Sequence, residues 1–242
     1  METRLLYLED FSALSCDARV AAVTRENEKD IIILDQTVFY PQGGGQPYDT
    51  GMIESPAGKF LVEEVRCADG IVRHIGRFDH GAFAAGENVQ CRVDAERRML
   101  HSRIHSAGHL VDWAIAELNP AWMPDPRGYH YPNGPYVTYI GILVGVDKEK
   151  LKTDLENLCN RRITIGEEVS IRFMNQDEMK TMCRSVPGLP GGKSGRVIMF
   201  GDNFGVPCGG THVKNLSEIR GLSIRKIKQE GPNIRVGYDA SP

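Results

Sequence analysis

Residues 94–120 read DAERRMLHSRIHSAGHLVDWAIAELNP. Leu100, Ile104, Ala107, Val111, Ala114, Ile115 and Leu118 recur every three or four positions, which is the period of one helix face. Asp94 stands where an N-cap belongs, and Asn119-Pro120 ends the run. The spacing predicts one long helix. The chain changes texture at this helix, so a domain boundary is expected at about residue 93, dividing 1–93 from 94–242.

Upstream, short segments rich in Val, Ile and Phe follow one another: DIIILDQTVFY, GMIES, KFLVEEVRCADG, IVRHIGRF and ENVQCRVD. Gly, Asp and Asn punctuate them, as in a small β-barrel or sandwich. Only DARVAAVTREN near the start offers a helical alternative. Downstream, PAWMPDPRGYHYPNGPY reads as a loop and VTYIGILVGV as a strand. A helix, KEKLKTDLENLCNRRI, starts after Asp147. Strand GEEVSIRFM, short helix NQDEMKTMC and strand RVIMFGD come next, and LSIRKIKQEGPNIRVGYD closes as a hairpin turning at Gly231-Pro232-Asn233. Helices mixed with mainly antiparallel strands make the second part α+β.

The chain has 242 residues, 41% hydrophobic and 25% charged, which is globular composition. It has no apolar run long enough to cross a membrane and no apolar leader-like stretch at its start, so a cytoplasmic protein with no membrane partner is expected. Six cysteines at scattered spacings suit reduced thiols in that compartment. A net charge of −3 argues against a surface coated to hold nucleic acid nonspecifically. Local basic stretches exist, however. Lys214, Arg220, Arg225, Lys226, Lys228 and Arg235 face only Glu218 and Glu230 in their segment, and Arg92, Arg97, Arg98 and Arg103 form a second cluster. Either reads equally as a solvated face.

Within the long helix, His105 and His109 are four apart, so both imidazoles share a face and can reach one ion. His101 makes a second such pair, and alone the spacing fits a plain surface helix. About a hundred residues on, Cys208-Gly-Gly-Thr-His212 sets a cysteine and a histidine four apart around glycines that permit a tight turn. Three imidazoles and a thiolate in one domain are zinc's preferred donors. Four protein ligands would make a closed structural site, whereas three and a water would make a catalytic one, and the spacing leaves both open. Phe39-Tyr-Pro-Gln-Gly-Gly-Gly-Gln-Pro-Tyr-Asp-Thr-Gly51 is the other unusual stretch. Its three glycines allow close backbone approach or a tight hairpin, and Gln42 and Gln46 can bond sugar hydroxyls. Gly188-Leu-Pro-Gly-Gly-Lys-Ser194 ends like a phosphate-binding loop. It has one residue too few and lacks the strand and helix that such a loop joins, so it reads as a flexible loop.

FYPQGGGQPYDTG near the N-terminus, HSAGH on a helix and CGGTH on a loop, in this order, resemble the medium-length alanyl-tRNA editing proteins called AlaX. These look like freestanding counterparts of the editing domain of alanyl-tRNA synthetase. The resemblance covers nearly the whole chain. It implies an N-terminal barrel similar to a translation-factor barrel and an α+β domain holding Zn2+ on His105, His109, Cys208 and His212. It implies hydrolysis of the ester joining serine, and possibly glycine, to the end of alanine tRNA, with that mischarged tRNA as partner to a monomer or weak homodimer. By the same resemblance, His105, His109, Cys208 and Gln46 would serve catalysis, and Gly43, Gly44, Gly45, Gln46, Ser106 and Thr211 would contact the substrate. Ser106 stands where the family commonly has threonine. Two rival readings are a tRNA-binding module with structural zinc and a zinc hydrolase of a small ester.

Overall fold

The computed structural model describes residues 2–190 and 193–240. The chain divides into two compact units, Met1–Met99 and Leu100–Pro242, and the division falls inside the long helix rather than before it.

The first unit contains β1 (Arg4–Leu5), β2 (Ser15–Glu26), β3 (Lys29–Leu34), β4 (Gln36–Thr37), β5 (Gly51–Ser55), β6 (Gly58–Ala68), β7 (Ile71–Gly81) and β8 (Asn88–Val93). Six of these close into a barrel in the order β2-β3-β7-β6-β5-β8. Val20, Ile32, Leu34, Phe39, Ile53, Phe60, Val65, Val72 and Cys91 fill it. DARVAAVTREN lies in β2 up to Glu26, with Asn27 in the turn that follows, and is not helical. Its β-branched residues pair antiparallel with β3 and β8, and that pairing overrides the weak helical period. His74 is fully buried in the barrel. Its Nδ1 donates to Ile32 O at 2.9 Å, and Thr37 Oγ1 donates to its Nε2 at 2.8 Å. Burial pushes His74 down to about 4.

Arg98 is the other buried polar anchor of this unit. Its guanidinium grips Asp49 and donates to the carbonyls of Phe11, Ala13 and Val38. Asp49 also accepts from Tyr40 N at 2.7 Å, so both charges are fully bonded. The glycine-rich stretch folds around this anchor. Gly43 and Gln46 exchange backbone bonds of 3.2 and 2.8 Å across a two-residue turn. Gly44 and Gly45 occupy it at φ +52° and +76°, the left-handed pair of a tight hairpin.

The second unit begins within α1 (Ala95–Leu118), whose first turn is capped by Asp94 accepting from Arg97 N at 3.1 Å. It continues with β9 (Met123–Tyr129), β10 (Tyr136–Ile140), α2 (Lys148–Ile165), β11 (Val169–Met174), α3 (Gln176–Met182), β12 (Gly195–Phe200), β13 (Phe204–Pro207), β14 (Leu222–Glu230) and β15 (Asn233–Ala240). One antiparallel sheet runs β14-β15-β10-β9, and a second runs β11-β12-β13. The architecture is α+β. β9 forms where a loop is expected, because it is an edge strand, where prolines cost no ladder bond. β10 is shorter than expected and ends at Ile140, and Ile142 and Val144 are exposed beyond it. The phosphate-loop look-alike includes Gly191 and Gly192, which lie outside the described residues. Among the described residues, no helix is long and apolar enough to cross a membrane.

One face of the first sheet carries Val137, Tyr139, Ile234, Val236 and Tyr238, all buried. Tyr139 reaches Asp112 on α1 and Tyr238 reaches Ile104 O, so this face lies against α1.

Candidate metal centre

The helix presents His105 and His109 one turn apart, and the loop after β13 presents Cys208 and His212. One ligand atom from each of the four lies within 4.8 Å of the others. Cys208 Sγ is 3.5 Å from His105 Nε2. All three histidines are buried. His101, although buried, is not part of this group.

The surroundings fix each ligand. His109 Nδ1 bonds Asp112 Oδ2 at 3.1 Å, and Tyr139 donates to the other carboxylate oxygen at 2.6 Å. This is the carboxylate–histidine arrangement that orients a metal-binding imidazole and leaves Nε2 for the ion. Ser106 Oγ lies 3.1 Å from His212 Nδ1 and accepts from Val213 N at 3.1 Å. Ser106 is fully buried, with its hydroxyl between the His212 ring and the Val213 amide. Thr211 is likewise buried, with its hydroxyl 2.9 Å from that of Ser102. Gly210 N donates to Cys208 Sγ at 3.3 Å, while Arg196 donates to the carbonyls of Cys208 and Gly210 and holds the loop's shape. Neither Gly209 nor Gly210 has positive φ, so the loop turns without left-handed backbone.

Protonation follows the geometry. Burial drives His105 and His212 well below the ordinary imidazole range, and neighbouring imidazoles and Arg196 add to it. Burial alone would raise Cys208, but His109, the Gly210 amide and Arg196 outweigh it and lower the thiol. Burial opposes charge on His109, yet Asp112 and Cys208 push it up to about 10. Neutral imidazoles beside a thiolate are the forms that a soft divalent ion requires, and its arrival would displace the proton on His109. The residues therefore fit zinc: three nitrogens and one sulfur converge, and buried His109 Nε2 has no well-formed hydrogen bond.

A fourth histidine, beside the group, was not legible from the sequence. His130 stacks on His105 with ring centroids 4.3 Å apart and 21° between planes. Tyr238 OH donates to Ile104 O at 2.9 Å and receives His130 Nδ1–H at 2.7 Å. Gly108 makes room for this ring. A β-carbon there would stand 2.6 Å from His130 Cε1 and 2.7 Å from Tyr238 OH. Asp112 could have been found by its place three residues after His109 on one helix face. His130 and Tyr238 carry no such spacing signal.

Gly43, Gly44, Gly45 and Gln46 belong to the barrel unit, where Gly44 and Gly45 are explained by their turn and Gln46 is fully buried.

Comparison with known proteins agrees with both units. Residues 5–97 match the family of tRNA synthetases class II (A). Residues 196–235 match the threonyl and alanyl tRNA synthetase second additional domain. The chain is 32% identical over 232 residues to the alanine–tRNA ligase of Archaeoglobus fulgidus, covering 93% of the chain and 24% of the ligase. It thus spans about a quarter of the length of that relative. It is 31% identical over 229 residues to the alanyl-tRNA editing protein AlaX-M of Pyrococcus horikoshii, covering 94% of the chain and 91% of that protein. The AlaX-M of Methanosarcina acetivorans is 29% identical, with 98% of each chain covered. Barrel and candidate metal-binding unit together thus match modules of the aminoacyl-tRNA synthetases. Within that class, the chain belongs to the AlaX family of alanyl-tRNA editing proteins.

Proposed function

We propose that this protein hydrolyses the ester of mischarged alanine tRNA, chiefly seryl-tRNA(Ala) and also glycyl-tRNA(Ala), with zinc held by His105, His109, Cys208 and His212. The observation that carries the reading is the convergence of those four ligand atoms within 4.8 Å, in a chain of the editing family. Zinc in such a site supplies Lewis acidity, polarising an ester carbonyl or lowering the pKa of water to about 7. The chain's own residues prepare for it. Tyr139 and Asp112 aim His109, Ser106 aims His212, and the Gly210 amide steadies the Cys208 thiolate. Cys208 serves as a ligand rather than as a nucleophile, because an aminoacyl ester is already activated and three imidazoles surround the sulfur.

The Gly43–Gly45 turn and Gln46 are assigned to the aminoacyl end on the strength of their motif. A polar group that pairs the serine hydroxyl would be left unpaired by alanine, an effect that reaches about 10⁴–10⁵-fold in sites of this kind. Purified protein is expected to release serine from seryl-tRNA(Ala) and spare alanyl-tRNA(Ala). Equal rates on both, or none on either, would refute the assignment. The same four donors would also close a structural shell, and tRNA binding with no turnover would select that reading.

A further inference from the structure

Cys16 and Cys91, far apart in the chain, meet across the seam where β2 and β8 close the barrel. They are direct partners in the antiparallel register. Inward positions alternate along both strands, with Cys16, Ala18 and Val20 in β2 and Val89, Cys91 and Val93 in β8 packed into one core. Both thiols therefore project from the same face. Hydrogen-bonded and non-bonded pairs alternate along such a ladder. Val93 N donates to Leu14 O at 2.8 Å and Val20 N donates to Glu87 O at 2.9 Å, each pair an even number of positions from the cysteines in the same register. Cys16–Cys91 is thus a hydrogen-bonded pair, a class whose Cα atoms stand about 5.5 Å apart. Disulfides span that same separation, most often about 5.5–6 Å.

The two thiols are not equivalent. Cys16 is partly exposed and Cys91 is fully buried. A bond from the Cys91 thiol and one from the Val38 backbone lower the Cys16 thiol against burial and the charges of Asp17 and Asp35. The same bond raises Cys91 well above the ordinary thiol range, and burial adds to it. A reachable sulfur with thiolate character beside a second thiol is the arrangement on which peroxides act. Neither cysteine belongs to the candidate metal group.

We propose that Cys16 and Cys91 are a reversible modification site, a thiol pair closed to a disulfide by hydrogen peroxide and reopened by small thiols. The Cys16 thiolate attacks one peroxide oxygen. The O–O bond breaks, hydroxide leaves and takes up a proton to become water, and Cys16 becomes a sulfenic acid. Cys91 then gives up its proton while its sulfur attacks that of Cys16. The S–O bond breaks, the S–S bond forms, and a second water leaves. One peroxide gains two electrons and two thiols become one disulfide. Strand geometry makes the bond easy to reopen. Facing β-carbons in a sheet stand about 4.5–5.5 Å apart, whereas a disulfide requires about 3.5–4.5 Å. Closing the bond draws β2 and β8 together, and a disulfide formed under such strain is readily reduced. The inference stands apart from the proposed hydrolysis.

The test exposes the folded full chain, loaded with zinc to shield Cys208, to excess hydrogen peroxide. The reaction is quenched, the chain is unfolded in alkylating reagent, and its peptides are mapped by mass. Wild type is expected to lose alkylation at both Cys16 and Cys91 and to yield one linked peptide, lighter by two hydrogens than the sum of its halves. Dithiothreitol should restore both thiols. Cys67→Ser should leave the link unchanged. Cys91→Val, which keeps the core apolar, should stop oxidation at a Cys16 sulfenic acid that dimedone labels. Melting curves verify that each variant is folded, and mapping by position reads the pair whatever happens at Cys208. Wild type that keeps both thiols while exposed Cys67 is oxidised, or that links Cys16 to a different cysteine, would overturn the proposal. So would a folded Cys91→Val variant whose Cys16 does not react.

Discussion

Ser106→Ala separates two roles for the residue between the metal-binding histidines. In the structure its hydroxyl accepts from Val213 N and lies 3.1 Å from His212 Nδ1, and Ser106 and Val213 are both buried. Alanine leaves the buried Val213 amide unpaired, at a cost of about 1–3 kcal/mol. A loss of about 2 kcal/mol lowers the melting temperature of a unit this size by about 4–8 °C. It also frees the His212 ring, and loss of such an outer partner weakens metal binding by about 10–100-fold. Melting of metal-free protein and competition for zinc against a chromogenic chelator measure the two effects separately. Ser106→Thr, which keeps the hydroxyl, should retain zinc. Unchanged melting and zinc affinity, with selectivity for serine over alanine lost, would show that Ser106 contacts substrate and that the positioning argument is wrong.

Further expectations follow from other sites. Cys208→Ala removes the only sulfur of the group and should reduce zinc affinity by more than the about 10–100-fold that an outer partner costs, with activity lost alongside; elemental analysis showing a full complement of zinc would refute the ligand assignment. Arg98→Met strands the buried Asp49 carboxylate and should destabilise the barrel by about 3–5 kcal/mol in urea denaturation. His74 has its folded-state value depressed to about 4, so its contribution is intact above its unfolded value near 6.5 and is lost as pH falls between the two. That loss is about 3 kcal/mol, and His74→Gln should remove it from the pH dependence of the denaturation midpoint.

Much of this arrangement was legible because it rests on local rules. The α1 face, its Asp94 cap and the His105–His109 pair follow from helical period, and the barrel strands follow from β-branched runs between turn residues. Where sequence reading failed, a longer-range cause decided. The proline-bearing stretch around Pro124 became β9 because its place at the sheet edge spares it the missing amide. DARVAAVTREN became β2 because two neighbours paired with it. The Cys208–His212 loop turns without left-handed backbone at its glycines, and Arg196, distant in sequence, bonds its carbonyls. Ser106, assigned to the substrate by the motif, also lies beside His212, and only the fold brings the two together. His130 reaches the centre through a contact that no spacing encodes.

Gly108 illustrates how such a contact constrains redesign. Replacing a mid-helix glycine with alanine ordinarily gains about 1 kcal/mol of helix propensity. Here the added methyl would occupy space held by the His130 ring and the Tyr238 hydroxyl, so a stabilising substitution elsewhere becomes a disruptive one. The volumes at 108 and 130 are traded against each other. A smaller residue at 130 combined with Tyr238→Phe should restore tolerance to Gly108→Ala, and the substitutions should be non-additive in a mutant cycle. Grafting this helix onto another scaffold without an opening opposite Gly108 would therefore transfer the two histidines and lose the ring packed behind them.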